Sequence, residues 1–460
     1  MPKLSVNRRD ALKTMAAGAA GAGLLPMFGA RAVEKRPNII FMLTDDHRYD
    51  AFGFMDKPWL KTPNMDRIAS EGVNFENTFV TTSLCSPSRA SFLTGQYAQC
   101  HGVMNNATPW KDSNVTYLEL LHAAGYHTGF IGKWHMPGKG VPDMKAQGKV
   151  DRMVSFSNYG GQGVYNDCPM IVDGEETKTK GYITDILTDY ALDFMNSGGD
   201  SPFCLYLSHK AVHAAFDPPD RYEGVLDDAP LPEMRPMDKD LPLGLVNQRW
   251  KQGFDKFVQG YYEALMAVDD SVGSVLSFLD DKGIAENTIV VYAGDNGYFW
   301  GEHGMTDKRY AYEESIRVPQ IMRYPRMVDG GANVEEMVLN IDLMPTVLNA
   351  AGVDVPKQVQ GEDFMPLARG KSVPWRDSFL YEYYSDVNFP VPPIKAVRTM
   401  DWKLITYGDK KGKYEDEMYN LKADPGEKIN LIDHPGYDHK EKELREEMTD
   451  LEKELECPGA

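Results

Sequence analysis

The strongest constraint on how this chain can fold comes from four short, predominantly apolar runs that each stop at a group of polar or ionisable residues. "NIIFML" (Asn38 to Leu43) runs into "TDDH", which places Asp45 and Asp46 side by side. "NTIVVYA" (Asn287 to Ala293) runs into "GDNG", with Asp295 and Asn296. "HTGFI" (His127 to Ile131) leads to "GKWH", with Lys133 and His135, and "PFCLYLS" (Pro202 to Ser208) to "HKAVHAAF", with His209, Lys210 and His213. Apolar runs of this length without polar alternation are strands buried on both faces. Their alternation with helical stretches predicts an α/β fold with a mostly parallel sheet covered by helices on both sides. Sheets of that kind bind ligands beyond the carboxyl ends of their strands, where all four polar groups stand.

The 460 residues suffice for one large α/β domain and a smaller one, and 42% hydrophobic with 25% charged residues is the mix of a soluble globular protein. A formal net charge of −19 argues against nucleic acid as a partner, because phosphate backbones need basic surface. No apolar run is long enough to span a bilayer. The N-terminus reads as an export signal of twin-arginine type: "NRRDALK", then an Ala/Gly-rich stretch from Met15 to Leu25, then "ARA" ending at Ala32. An amphipathic N-terminal helix is the bland alternative. Cleavage after Ala32 removes a net +4 and takes the charge from −19 to −23. The expected location is the periplasm or the exterior.

Asp45, Asp46, Asp295 and Asn296 offer carboxylate and amide oxygens, which favour Ca²⁺, and next Mg²⁺, over zinc. Taken singly, either acidic pair is equally a helix or turn cap, and each strand-end histidine is equally a structural one. The five cysteines are Cys85, Cys100, Cys168, Cys204 and Cys457, an odd number without metal-type spacing. Cys85 lies in "SLCSPSRASFLTG", a Ser/Pro/Arg turn that opens a helix, and reads as a disulfide partner, a buried thiol or a reactive group. With Cys85 set aside, the other four allow three pairings.

These residues carry a resemblance. "CSPSR" (Cys85 to Arg89) is similar to the C-x-P-S-R signature of type I, formylglycine-dependent sulfatases, and "GYHTGFIGKWH" (Gly125 to His135) to their second signature. "YLSHKAVHAAFDPP" and "GEHGMTDKRYAYEESIRVP" resemble the family's central His segment and its third region. The matches keep family order from Pro37 to about Leu431. The resemblance implies that Cys85 is oxidised to formylglycine (3-oxoalanine) by a formylglycine-generating or sulfatase-maturating enzyme. The hydrated aldehyde then attacks sulfur with one hydroxyl and expels sulfate with the other. It further implies that Asp45, Asp46, Asp295, Asn296 and the modified Cys85 hold one Ca²⁺, and that Arg89 steadies the hydrate. Lys133 and Lys308 bind sulfate oxygens, His135 acts as base, and His213 as acid toward the leaving oxygen. Val212 stands where the family usually has Pro, and Cys100 where relatives often carry His. His209 reads as structural.

The implied fold is the alkaline-phosphatase-like α/β/α sandwich: residues 36–370 as the catalytic domain, and 371–460 as a C-terminal α+β subdomain. Strands are expected at Phe379–Tyr384, Lys395–Thr399, Trp402–Tyr407 and Asp416–Leu421, and an amphipathic helix at His439–Glu456. The C-terminal segment resembles that of glycan sulfatases related to N-acetylglucosamine-6-sulfatases. This implies an exo-acting enzyme on a sulfated carbohydrate, with Trp300, His303, Tyr383, Asp386 and Arg398 as candidate substrate contacts. The alternatives are a phosphodiesterase or phosphonate hydrolase of the same superfamily and a non-catalytic sulfoglycan-binding protein.

Overall fold

The four apolar runs lie next to one another in a ten-stranded sheet. The computed structural model describes residues 35–136, 144–157, 161–232, 253–386, 389–408, 414–455 and 457. The expected signal, residues 1–32, and Glu456 lie outside them. Five parallel strands form the centre: β1 (Asn38–Thr44), β2 (His127–Gly132), β3 (Arg152–Phe156), β4 (Phe203–Ser208) and β5 (Thr288–Gly294), in the order β5-β1-β4-β2-β3. Antiparallel strands flank this block, Gln320–Arg323 beside β5 and Met170–Val172 beside β3, so the sheet is mixed but mostly parallel at its core.

Register brings the polar strand ends into one row. Thr44 pairs with Gly294, Leu43 with Ser208, and Gly132 with Ser208, so Asp45, Asp295, Lys133 and His209 all follow at the same edge. Alternate residues of β1 serve opposite layers, as the two-residue repeat of a strand requires. Ile40 and Met42 pack with the helices Ile183–Ser197 and Phe254–Asp281, whereas Ile39, Phe41 and Leu43 pack with helix α1 (Cys85–Thr94) and helix Leu343–Ala351. Every residue of α1 is buried, so it has no polar face, and Gly95 ends it in the left-handed conformation at φ 65°.

The C-terminal part is a four-stranded antiparallel sheet, Ser378–Tyr383, Ile394–Thr399, Trp402–Tyr407 and Glu417–Asn420, each strand pairing with the next. Helix Asp438–Glu454 packs onto it through Leu444 and Met448. A buried ionic cluster joins this sheet to the segment that follows β5. Lys403 bridges Glu313 (2.8 Å) and Glu427 (2.7 Å), and Arg398 adds a second cation to Glu313 at 3.2 Å. His303 meets Glu314 at 3.4 Å and stacks on Tyr312 with ring centroids 3.8 Å apart. Burial alone lowers the proton affinity of His303, but the carboxylate of Glu314, with Glu427 beyond, raises it above the ordinary histidine value.

Cys100 and Cys457 form a disulfide across 357 residues, tying Cys457 to the segment after α1, while Cys168 and Cys204 are buried cysteines outside any disulfide. The position where relatives often carry His is therefore committed to a covalent tie. Closing so long a loop contributes about 2–4 kcal/mol. Reduction of the wild type is expected to lower Tm by on the order of 5 °C, and Cys457→Ser should show the same loss with no further response to reductant. Equal Tm values for oxidised and reduced wild type would contradict this.

Stability should also follow the His303 proton. A folded-state value above the unfolded one gives a contribution that is complete below about pH 6.5 and fades as pH rises through the folded value. The Tm deficit of His303→Gln should thus be largest near pH 6 and shrink toward pH 9. A deficit that is constant or grows with pH counts against the Glu314 pairing.

Candidate active site

Each strand end delivers its side chain to one buried spot. Asp45 and Asp46 follow β1, and Asp295 and Asn296 follow β5, whose amide at Asp295 donates to Thr44 O at 2.9 Å. The amide of Asp46 donates to Asp295 Oδ1 at 3.0 Å, and Asn296 Nδ2 donates to Asp46 Oδ1 at 2.7 Å. Lys133 leaves β2 through Gly132, whose φ is 116°; a Cβ there would meet Ser208 O at 1.8 Å, so only glycine permits the turn. Asp46 (φ 54°) and His135 (φ 54°) also adopt the left-handed region, as do Asp307 (φ 77°) and Arg309 (φ 93°) on either side of Lys308. Such strain gathers where side-chain direction matters more than backbone comfort.

Cys85 is the first residue of α1 and is fully buried. Its Sγ lies 3.5 Å from Asp45 Oδ1 and 3.2 Å from Lys308 Nζ. Lys133 pairs with Asp45 and Lys308 with Asp46. Arg89, one turn along α1, places Nη2 2.8 Å from Asp295 Oδ2 and donates from Nη1 to Lys133 O (3.0 Å) and Ser208 Oγ (2.5 Å). Asp45, Cys85 and His213 each offer an atom within 4.8 Å of the others, and Asp45, Asp46 and Asp295 do the same. His213 Nδ1 faces Ala214 O at 2.6 Å, an acceptor, so the neutral ring carries its proton there and leaves Nε2 free of one. His135 is buried, its Nδ1 has no hydrogen-bond partner, and its carbonyl accepts from Ser86 Oγ.

The charges constrain one another. Burial opposes ionisation of Asp45, yet Lys133, His213, Arg89 and Lys308 together hold its carboxyl well below the usual range. Burial and the neighbouring Asp45 push Asp295 up to about 7, and burial also raises Asp46 against the pull of Lys308. Burial, then Asp45, push the Cys85 thiol up to about 12, so it is protonated near neutrality and a poor nucleophile as it stands. Asp46 Oδ2 and Asn296 Oδ1 are buried and lack hydrogen-bond partners. Oxygen atoms left in this way beside three crowded carboxylates fit a hard divalent cation, which offsets their repulsion.

The other sequence candidates divide. Tyr383 and Asp386 are buried around Arg309, with Asp386 Oδ2 4.0 Å from its guanidinium, next to Lys308. Trp300 is 2% exposed and packed among Phe216, Phe257, Tyr261 and Tyr298, so its ring faces the core and not a sugar. Arg398 pairs with Glu313 and lies 4.5 Å over the Phe79 ring, and His303 belongs to the ionic cluster described above, which ties the C-terminal sheet to the segment after β5. His209 is buried against Ser271 Oγ at 3.2 Å, in keeping with a structural part. Sequence reasoning passed over Ser208, which braces Arg89, and Gln162, 3.4 Å from His213 Nε2. The strand-final serine was a readable signal, whereas Gln162 carried none.

A cysteine set among carboxylates that could hold a hard cation, lysines and histidines at a parallel-sheet edge is an arrangement suited to the hydrolysis of oxyanion esters. Comparison with known proteins specifies which. The sulfatase family model matches residues 37–353, and a second model, N-sulphoglucosamine sulphohydrolase C-terminal, matches residues 301–454. The chain belongs to the sulfatase family. It is 32% identical to an N-acetylglucosamine-6-O-sulfatase from Bacteroides thetaiotaomicron, over 91% of this chain and 87% of that one. Human N-acetylglucosamine-6-sulfatase is 29% identical, over 89% of this chain and 82% of its own. A solved structure in complex with its substrate, D-glucosamine-2-N,6-O-disulfate, superposes with a TM-score of 0.82 at 32% identity, covering 92% of this chain and 98% of that one. The phosphonate monoester hydrolase of Agrobacterium radiobacter shares the fold at a TM-score of 0.74 and 19% identity, covering 91% of this chain and 96% of that one.

Divalent cation added to chelator-treated protein should raise Tm, and Asp295→Ala should remove most of that response. An unchanged response in the variant would place the cation elsewhere.

Proposed function

We propose that this sulfatase removes the sulfate ester from a hexosamine unit at the end of a short glycan, with formylglycine made from Cys85 as nucleophile and Ca²⁺ as the cation. The observation that carries this reading is the position of Cys85 Sγ, in reach of both Asp45 and Lys308 beside His213, in a setting that leaves a thiol protonated. The aldehyde hydrate supplies one hydroxyl to attack sulfur and a second to release sulfate. Ca²⁺, when held by Asp45, Asp46, Asp295 and Asn296, polarises the sulfate and favours an ionised hydroxyl.

The chain's own groups do the rest. Lys133 and Lys308 exchange their carboxylate partners for sulfate oxygens, and Arg89 stays fixed on Asp295. Burial, partly opposed by Asp45, holds His213 well below its ordinary value, so it is neutral at rest. An anionic sulfate beside it raises its proton affinity, so the substrate itself loads the acid that protonates the leaving oxygen. Burial, then Lys133, keep His135 neutral and able to take the proton of the second hydroxyl. The formal charges of Asp45, Asp46, Asp295, Arg89, Lys133 and Lys308 sum to zero. A dication therefore enters without imbalance alongside an ionised hydroxyl and a sulfate ester, each of charge −1.

The cavity that opens past His213 is bordered by Asp217, Asp220, Glu223 and Asp227, so a long polyanion laid across this rim meets repulsion and a short terminal unit avoids most of it. The 1–32 segment and the Cys100–Cys457 disulfide, a bond of oxidising compartments, support export, with maturation of Cys85 before folding. Relatives acting on N-acetylglucosamine 6-sulfate and on glucosamine disulfate support the hexosamine.

The test uses protein co-expressed with a maturation enzyme. Peptide mass spectrometry should show an aldehyde in place of the Cys85 thiol, and sulfate release should be faster from mono- and disaccharides than from the parent polymer. Full activity of the thiol form, equal loss of internal and terminal sulfates from polymer, or faster cleavage of a phosphonate monoester would each overturn the reading.

A further inference from the structure

Four lysines are buried among the described residues, and three of them have carboxylate partners. Lys133 pairs with Asp45, Lys308 with Asp46, and Lys403 with Glu313 and Glu427. The fourth, Lys210, is 5% exposed, and its ammonium makes no hydrogen bond or ion pair among the described residues. Its Nζ instead lies 5.1 Å from the centroid of the Tyr165 ring. An ammonium removed from water without a counter-ion is costly, and a ring face offsets little of that cost.

Lys210 does not face the packed core. It lines the same cavity as His213, a space of about 1060 Å³ that opens directly from the acid position of the site. That volume lies at the upper end of small-molecule pockets, large enough for a sugar carrying a bulky second substituent. Burial, then the charge of Lys133, pull its proton affinity down to about 8, so Lys210 stands within electrostatic reach of the sulfate-binding lysine and is still cationic near neutrality. Asp217, Asp220, Glu223 and Asp227 also border the cavity.

Resting on the sulfatase reading above, we propose that Lys210 anchors a second anionic group of the substrate, carried close to the scissile sulfate on the same sugar, such as a sulfamate or another sulfate. The preferred substrate is then a small, doubly anionic sugar. The inner cation receives the second charge, and the acidic border disfavours further ones.

The test compares N-acetylglucosamine 6-O-sulfate with glucosamine 2-N,6-O-disulfate, which differ in charge at the sugar nitrogen. The wild type should favour the disulfate in kcat/KM. Lys210→Met, which keeps an unbranched side chain one atom shorter and without the charge, should lower the ratio of the two kcat/KM values about tenfold to a hundredfold, mainly through KM of the disulfate. Lys210→Arg should restore most of it. A wild-type preference for the monosulfate overturns the inference. So does an unchanged ratio in Lys210→Met, or an equal loss on both sugars, which would assign Lys210 to the shared sulfate or to the fold. A wild type that turns over neither sugar overturns the proposed function itself, a result distinct from the others.

Discussion

Three carboxylates, two lysines and an arginine share one water-excluded spot, and the rest of the molecule is arranged around keeping them there. Charges buried singly are prohibitive, and buried in pairs they are tolerable only when geometry and hydrogen bonding are good. Here Asp45, Asp46 and Asp295 balance Lys133, Lys308 and Arg89 in formal charge, with Asp45 acting as the shared partner of Lys133 and Arg89. Because the balance is collective, moving one lysine onto an anion frees a carboxylate for a cation. A site that admits a cation and an anion together follows from that arithmetic.

Position comes from the parallel sheet. β1, β2, β4 and β5 end in register, and a displacement of one residue in any of them would turn its terminal side chain into the helical layer on the other face. α1 adds Cys85 and Arg89 from the same buried helix, one turn apart, so the cysteine and the arginine that pairs with Asp295 are fixed relative to each other. Lys308 alone comes from an irregular segment, and that segment is the one braced from behind by the ionic cluster of Lys403, Glu313, Glu427, His303 and Arg398. The small C-terminal sheet therefore supports the catalytic edge at the position with the least regular backbone.

Much of this was readable in advance. The apolar runs became central strands within one residue of their expected bounds, because a fully buried strand has no other apolar pattern to adopt. The terminal helix and the four C-terminal strands fell close to expectation because the helix keeps its buried Leu444 and Met448 at a four-residue spacing and the strands are short apolar runs. Trp300 packs among core aromatics, and Arg398 and His303 pair with Glu313 and Glu314, which the sequence could not show because aromatic and charged residues near a site look alike whether they face it or pack behind it. Only their partners in space separate the two cases. Lys210 stood next to two histidines already under consideration, yet nothing in "HKAVH" says that its neighbours in space would leave it without a carboxylate.

The sequence by itself determined the fold class and the residue types that stand at the strand ends, because strand periodicity and residue type are local properties. The tertiary structure alone decided which charges face one another, that Cys100 closes on Cys457, and that Lys210, alone among the four buried lysines of the described residues, lines a cavity with no carboxylate in ion-pair reach of its ammonium. Those outcomes depend on residues hundreds of positions apart meeting at short range. Electrostatic pairing falls off within a few ångströms inside a folded protein, whereas sequence separation carries no such length scale.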